Sequence, residues 1–245
     1  MKTLGLIGGM SWESTAVYYR LLNQGVARRL GGLHSAPLRI ASVDFAPIAQ
    51  WQAEGQWGAA AQQLGALGAG LWQGGARALV LATNTMHKVA DAIEARSGLP
   101  LLHIADATGA ALRAAGRRRV GLIGTRFTME DPAIVIDRLQ ARHGVEVLVP
   151  AAADRTRVHG LIFDELCRGR VTPEARSALL GVVDRLAARG AEAVVLGCTE
   201  LMLVLDPAHH PFPLFDSTTL HADAAVAWIC GEPPIYPQQD PKAKP

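Results

Sequence analysis

Three cysteines in 245 residues, at 167, 198 and 230, are too few and too unevenly spaced for a disulfide framework. They suit a reducing compartment, and the cytoplasm is the expected location. No apolar run approaches the ~18 residues that a membrane span needs. The first strand begins by Thr3, which leaves no room for a leader peptide ahead of it. Charge of either sign is scarce in excess: 24 Lys and Arg against 22 Asp and Glu give a net +2, with no pull toward nucleic acid or an anionic membrane. The basic run Arg117-Arg118-Arg119 follows a helix, where it complements the dipole. Histidines 34, 87, 103, 143, 159, 209, 210 and 221 show no metal-ligand spacing, and no zinc motif is present. Gly5-Leu-Ile-Gly8-Gly9 does not fit G-x-G-x-x-G, and there is no Walker sequence. No metal, nucleotide or other cofactor is therefore expected.

What the chain does have is a repeat. Gly75-Ala-Arg-Ala-Leu-Val-Leu-Ala-Thr83-Asn84-Thr85 returns as Gly190-Ala-Glu-Ala-Val-Val-Leu-Gly-Cys198-Thr199-Glu200. An offset of 115 residues lays Thr83 on Cys198. Leu4-Gly-Leu-Ile-Gly8 returns as Val120-Gly-Leu-Ile-Gly124, and Pro100-Leu-Leu-His103 is echoed by Pro213-Leu-Phe-Asp216. Three landmarks in one order predict a duplicated unit whose two halves present near-mirror loops to one ligand.

Strand-length apolar runs lie at about 3–8, 38–44, 77–82, 100–105, 119–124, 145–149, 192–197 and 212–216. Helical patterns lie between them at 12–30, 57–74, 85–97, 106–116, 129–143, 155–168, 173–189 and 217–230. Ser11, Thr128 with Asp131, and Thr172 with Pro173 read as helix starts. Continuous apolar strands alternating with helices predict an α/β fold with parallel sheets covered on both faces. The proline-rich tail from Gly231 reads as an extension rather than a domain.

In such sheets ligands sit beyond the carboxyl ends of the strands. That rule selects Gly8-Gly9-Met10-Ser11, Thr83-Asn84-Thr85, Gly124-Thr125-Arg126-Phe127-Thr128 and Cys198-Thr199-Glu200. Each ends a strand and opens a helix, so backbone N–H groups and a positive dipole end await a carboxylate. Cys198 is the leading candidate for chemistry, since a helix N-terminus lowers a thiol pKa. Cys167 and Cys230 read as fillers, and His87 and His103 as satisfied core or helix-start residues.

Lys2-Thr-Leu-Gly-Leu-Ile-Gly-Gly-Met-Ser-Trp-Glu-Ser-Thr15, Ala82-Thr-Asn-Thr-Met-His87 and Leu196-Gly-Cys-Thr-Glu200 resemble the aspartate/glutamate racemase family, within the Asp/Glu/hydantoin racemase superfamily. The resemblance is to its broad-specificity amino-acid branch. It implies two similar parallel-sheet α/β domains related by a pseudo-twofold duplication, with the active site in the cleft between them. One domain would span 1–103 plus 212–245 and the other 104–211. It also implies racemisation of aspartate or glutamate, and of other amino acids within reach, without pyridoxal phosphate. Members are often dimers, so a homodimer is compatible.

The family carries cysteine at both repeat positions; this chain has Thr83 at the first. Cofactor-free racemisation needs a base on one face of the α-carbon and an acid on the other, and thiols near neutrality serve as both. A threonine hydroxyl donates but is a poor base. The resemblance assigns Cys198 to the face carrying an L-amino acid's α-proton, leaving Thr83 on the opposite face. Met10, Ser11, Asn84, Thr85, Thr125, Thr128, Thr199 and Glu200 are the expected substrate-binding set, with donors among them stabilising an enediolate. Where the family often has a basic residue for the side-chain carboxylate, this chain has Gln52, and Arg126 is the cation that could replace it. Two other readings fit: a one-cysteine decarboxylase or isomerase, and a two-lobed amino-acid-binding protein without turnover.

Overall fold

The apolar runs of each half build a separate parallel sheet in the computed structural model, which describes residues 1–232. In the first, β1 (Leu4–Gly8) lies between β2 (Leu38–Ser42) and β3 (Ala78–Leu81). In the second, β4 (Arg119–Gly124) lies between β5 (Glu146–Leu148) and β6 (Ala193–Gly197), and β7 (Leu214–Asp216) lies beyond β6. All these pairings are parallel. The duplication extends to register: Leu4 pairs with Ala78 as Val120 pairs with Ala193. Leu79 bridges Leu101 as Val194 pairs with Leu214. β1, β3, β4 and β6 are buried on both faces, as Leu6, Ile7, Leu122 and Ile123 are, while β2 and β5 are partly exposed; this is why the buried strands read as unbroken apolar runs.

Helix starts follow local chemistry. Ser11 Oγ accepts the Ser14 N–H at 3.2 Å and opens α1 (Trp12–Leu30). Thr172 Oγ1 accepts the Ala175 N–H at 3.1 Å ahead of Pro173, the first residue of α9 (Pro173–Ala188). α3 (Trp57–Gln73) and, after a 3-10 turn at Thr85–Val89, α4 (Ala90–Ser97) cover one face of the first sheet.

Four local expectations are corrected. The run at 100–105 supplies one bridge at Leu101 rather than a strand. The reason is that α5 (Ile104–Ala114) begins early, with His103 Nδ1 accepting the Ala105 N–H at 3.1 Å as its cap. The helix expected at 129–143 is two, α6 (Arg126–Glu130) and α7 (Ile136–His143), interrupted around Pro132. Thr125, not Thr128, caps α6; Thr128 lies inside it. The helix at 155–168 is α8 (Ala152–Gly160) followed by a π turn at Leu161–Glu165 and a 3-10 turn at Leu166–Arg168. Finally, α2 (Phe45–Ala53) was not anticipated: Asp44 caps it, and Pro47 sits in its first turn, where no N–H is needed.

Each half lends its last helix to the other. α5 follows the first sheet but packs on the second, where Ile104, Ala105 and Leu112 meet Val120, Leu122 and Val195. α10 (Ser217–Cys230) follows the second sheet but packs on the first, where Ala225, Val226 and Ile229 meet Leu4, Leu6 and Tyr18. β7 hydrogen-bonds to β6, so residues 214–216 lie with the second sheet rather than with the first unit, where the sequence reading had them. The tail expected from Gly231 falls, past Glu232, outside the described residues. No described helix is long and apolar enough to cross a membrane.

Candidate active site

The loop after β1 depends on Gly9. Its φ of 92° favours glycine, and a Cβ there would run into the Val43 carbonyl oxygen. The turn is held by the Gly9 N–H, which donates to Thr15 Oγ1 at 2.8 Å. It brings Met10, Ser11 and Ser14 to the end of the second sheet, where β6 stops at Gly197.

There the Cys198 thiol donates to Glu200 Oε2 at 2.8 Å. The other carboxylate oxygen, Oε1, accepts from Ser11 Oγ at 3.2 Å and lies 3.3 Å from Ser14 Oγ, which also lies 2.8 Å from Thr199 Oγ1. Glu200 thus links the two halves. The expectation of a depressed Cys198 pKa is overturned. Burial, then the facing Glu200 carboxylate, push this thiol well above its ordinary value. Only a five-residue 3-10 turn follows it, too short a dipole to offset those effects. Cys167, read from sequence as a filler, also lines the cleft; burial and Glu200 push its thiol up to about 12.

The matching loop after β3 is supported differently. The Ile104 N–H donates to His87 Nε2 at 3.2 Å, which leaves the ring proton on Nδ1, so Nδ1–H donates to the Thr83 carbonyl at 2.9 Å. Burial, and the neighbouring His221 next, hold His87 well below its ordinary pKa. His87 is therefore a neutral support that fixes the Thr83 backbone. The Thr83 hydroxyl has no hydrogen-bond partner among the described residues and is left to the cleft, which Thr83 lines. Asn84 Nδ2 donates to Ser217 Oγ at 3.2 Å, and Ser217 Oγ donates to the Leu196 carbonyl at 2.7 Å, tying the two strand ends together. Thr85 Oγ1 lies 3.4 Å from Thr128 Oγ1, a second link between the halves.

These loops surround a cleft of about 550 Å³, its open mouth included. Of the expected residues, Met10, Ser11, Gln52, Thr83, Asn84, Thr85, Thr125, Cys198, Thr199 and Glu200 line it. Thr128 does not: it is fully buried behind the wall, 3.2 Å from Thr125 Oγ1, where it steadies Thr125 and Thr85. Arg126 does not either; it is exposed and lies over the Phe127 ring. Sequence reading missed Ser14, Phe45, Met86, Ile162, Phe163, Cys167 and Gly197 in the lining. Ser14 stood inside the recognised Met-Ser-Trp-Glu-Ser-Thr block and Phe45 beside Gln52, so both carried a signal; the π turn bearing Ile162 and Phe163 carried none. Among the described residues no group of three or more His, Cys, Asp or Glu side chains could hold a metal ion.

The sequence profile of the Asp/Glu/Hydantoin racemase family matches residues 7–225. A Yersinia pestis protein solved as a candidate Asp/Glu racemase is 48% identical, over 94% of this chain and 100% of that one, with a TM-score of 0.88. An aspartate racemase homologue from Pyrococcus horikoshii is 28% identical over 94% of this chain and 100% of its own, with a TM-score of 0.79. A variant of arylmalonate decarboxylase, 16% identical over 94% of this chain and 93% of its own, has a TM-score of 0.56 and shares the fold alone. The chain belongs to the Asp/Glu/hydantoin racemase family, with the two-sheet α/β fold of its racemase relatives.

Proposed function

We propose that this protein is a cofactor-independent amino-acid racemase in which Cys198 removes and returns the α-proton on the L face. The carrying observation is the 2.8 Å contact between the Cys198 thiol and the Glu200 carboxylate in a cleft that Thr83 lines from the other sheet. With its pKa pushed up, Cys198 is held as a thiol, the form that protonates a carbanion. To act as base it must first lose that proton, and Glu200 is positioned to take it. A substrate ammonium entering the cleft brings the positive charge that favours thiolate.

Once the α-proton leaves, charge moves onto the substrate carboxylate oxygens. Hydroxyls of Thr85 and Thr199, the Asn84 amide and nearby backbone N–H groups are the donors assigned to that enediolate, where fixed dipoles lower the barrier. On the opposite face Thr83, or a water it holds, delivers a proton. The names of the relatives make aspartate and glutamate the first substrates to try. The test follows the α-proton of candidate amino acids by NMR in deuterated buffer. Exchange that Cys198→Ser abolishes in a folded protein supports the reading; full exchange in that variant overturns it.

A lone-thiol decarboxylase is the second reading, favoured by the hydroxyl at Thr83, which cannot serve as an efficient base. It predicts carbon dioxide release from a substituted malonate and no α-proton exchange with any amino acid.

A further inference from the structure

The cleft has one acidic side chain, Glu200, and among the described residues no lysine, arginine or histidine lines it. The cations nearest in sequence to the site loops are engaged elsewhere. Lys88 pairs with Asp131 and lies 4.5 Å from the centre of the Trp57 ring, and Arg126 is exposed over Phe127. Phe45 and Gln52 of α2, packed with the first sheet, and Ile162 and Phe163 of the π turn, packed with the second, are further members of the cleft wall.

Gln52 is the informative member. Its side chain is only 6% exposed, it lines the cavity, and among the described residues it makes no side-chain hydrogen bond. Its amide atoms are not sealed from solvent; they open onto the cleft, where a ligand can hydrogen-bond to them. An amide both donates and accepts, so it matches a neutral hydroxyl or carboxamide better than a carboxylate, which only accepts. Phe45, Ile162 and Phe163, in the same lining, suit the methylene groups of a side chain. A second substrate carboxylate would be dehydrated here without a cation and would share the cavity with Glu200.

We infer that the side-chain subsite formed by Phe45, Gln52, Ile162 and Phe163 selects α-amino acids with an uncharged, hydrogen-bonding side chain over their acidic counterparts. The inference rests on the racemase reading for its turnover and on Gln52 for its selectivity. Glutamine and glutamate, or asparagine and aspartate, are near-isosteric pairs that differ mainly in charge. In deuterated buffer the wild-type protein should exchange the α-protons of the amides with kcat/KM at least tenfold above the acids. Gln52→Arg should reverse that order. Calorimetric titration with the same four amino acids reads selectivity without turnover and should give the same ranking.

Faster exchange or tighter binding of glutamate and aspartate by wild-type protein would overturn the subsite assignment while leaving the racemase reading intact. Preferential binding of the amides with no exchange would uphold the subsite and overturn the racemase reading. If Gln52→Arg folds as wild type by circular dichroism yet keeps the wild-type ranking, Gln52 does not set selectivity, and the assignment fails.

Discussion

The loops after β3 and β6 descend from one repeated line of sequence and hold the same register, yet one carries Thr83 where the other carries Cys198. The difference continues behind them. Thr83 is backed by a neutral histidine that binds its carbonyl, and its hydroxyl makes no hydrogen bond among the described residues. Cys198 is backed by a carboxylate 2.8 Å from its sulfur. In both loops the residue two beyond reaches across to the other half, Thr85 toward Thr128 and Glu200 toward Ser11 and Ser14. Both loops thus keep the tie between halves, while only one of them sets a carboxylate against a thiol.

The largest way to break this comparison is Cys198→Ser. It should lower α-proton exchange by about a thousandfold, within the range for loss of a positioned acid/base, with circular dichroism unchanged. Cys230→Ser, whose residue packs beside Tyr18 and Ile229, should stay active. Because the Cys198 thiol is pushed up, its alkylation in the empty protein should be slow at pH 7 and quicken steadily into the alkaline range. A rate that is fast and flat from pH 6 would contradict the assignment of a resting thiol.

Acid should weaken the first loop's support. Burial lowers the His221 pKa from 6.5 to about 4, and lowers those of His87 and His103 in the same direction. As pH falls below 6.5 the unfolded chain takes up these protons first; for His221 the contribution to stability is whole above 6.5 and is lost down to about 4. For His221 alone that loss is on the order of 3 kcal/mol. Urea unfolding at intervals between pH 7 and 4 measures it, and an unchanged free energy across that window would show these histidines to be protonated when folded.

Handedness sharpens the comparison further. The L-isomer should exchange its α-proton with retention faster than it inverts, while the D-isomer exchanges slowly. The two kcat/KM values for net racemisation must still match, because free enantiomers have equal energies. Thr83→Cys should speed D-isomer exchange by about tenfold, given a base worth at least that much. Equal L and D exchange in the wild-type protein would mean that the Thr83 face already holds a competent base. The smallest effect is expected from Thr128→Val, which removes hydrogen bonds to Thr85 and Thr125 and should cost about 1 kcal/mol of stability with a few-fold change in exchange.

Much of this was legible in the chain because it is written in local patterns. Apolar runs announced six of the seven strands closely, and β7 was foreseen two residues early. The 12–30 and 217–230 patterns match α1 and α10 residue for residue, since Ser11 and Asp216 cap them and Gly31 and Gly231 end them. The strand-end rule gathered nine of the expected site residues around one cleft, and the resemblance added Gln52 as a tenth. What stayed hidden depends on tertiary packing. No local signal says that a π turn delivers Phe163 to the cleft or that Glu200 faces the Cys198 thiol rather than solvent. The sign of the Cys198 shift was misjudged for the same reason: a dipole is visible in sequence, whereas burial and a neighbour's rotamer are not.

The helix exchange has a consequence for how such a molecule fails. A half severed near residue 103 would keep β1, β2 and β3 but lose the cover that α10 gives Leu4, Leu6 and Tyr18; its complement would keep that helix without a surface to receive it. Cut there, neither piece would hold a closed core: each sheet depends on a helix that the other half supplies, so the two halves stand or fall together on one polypeptide.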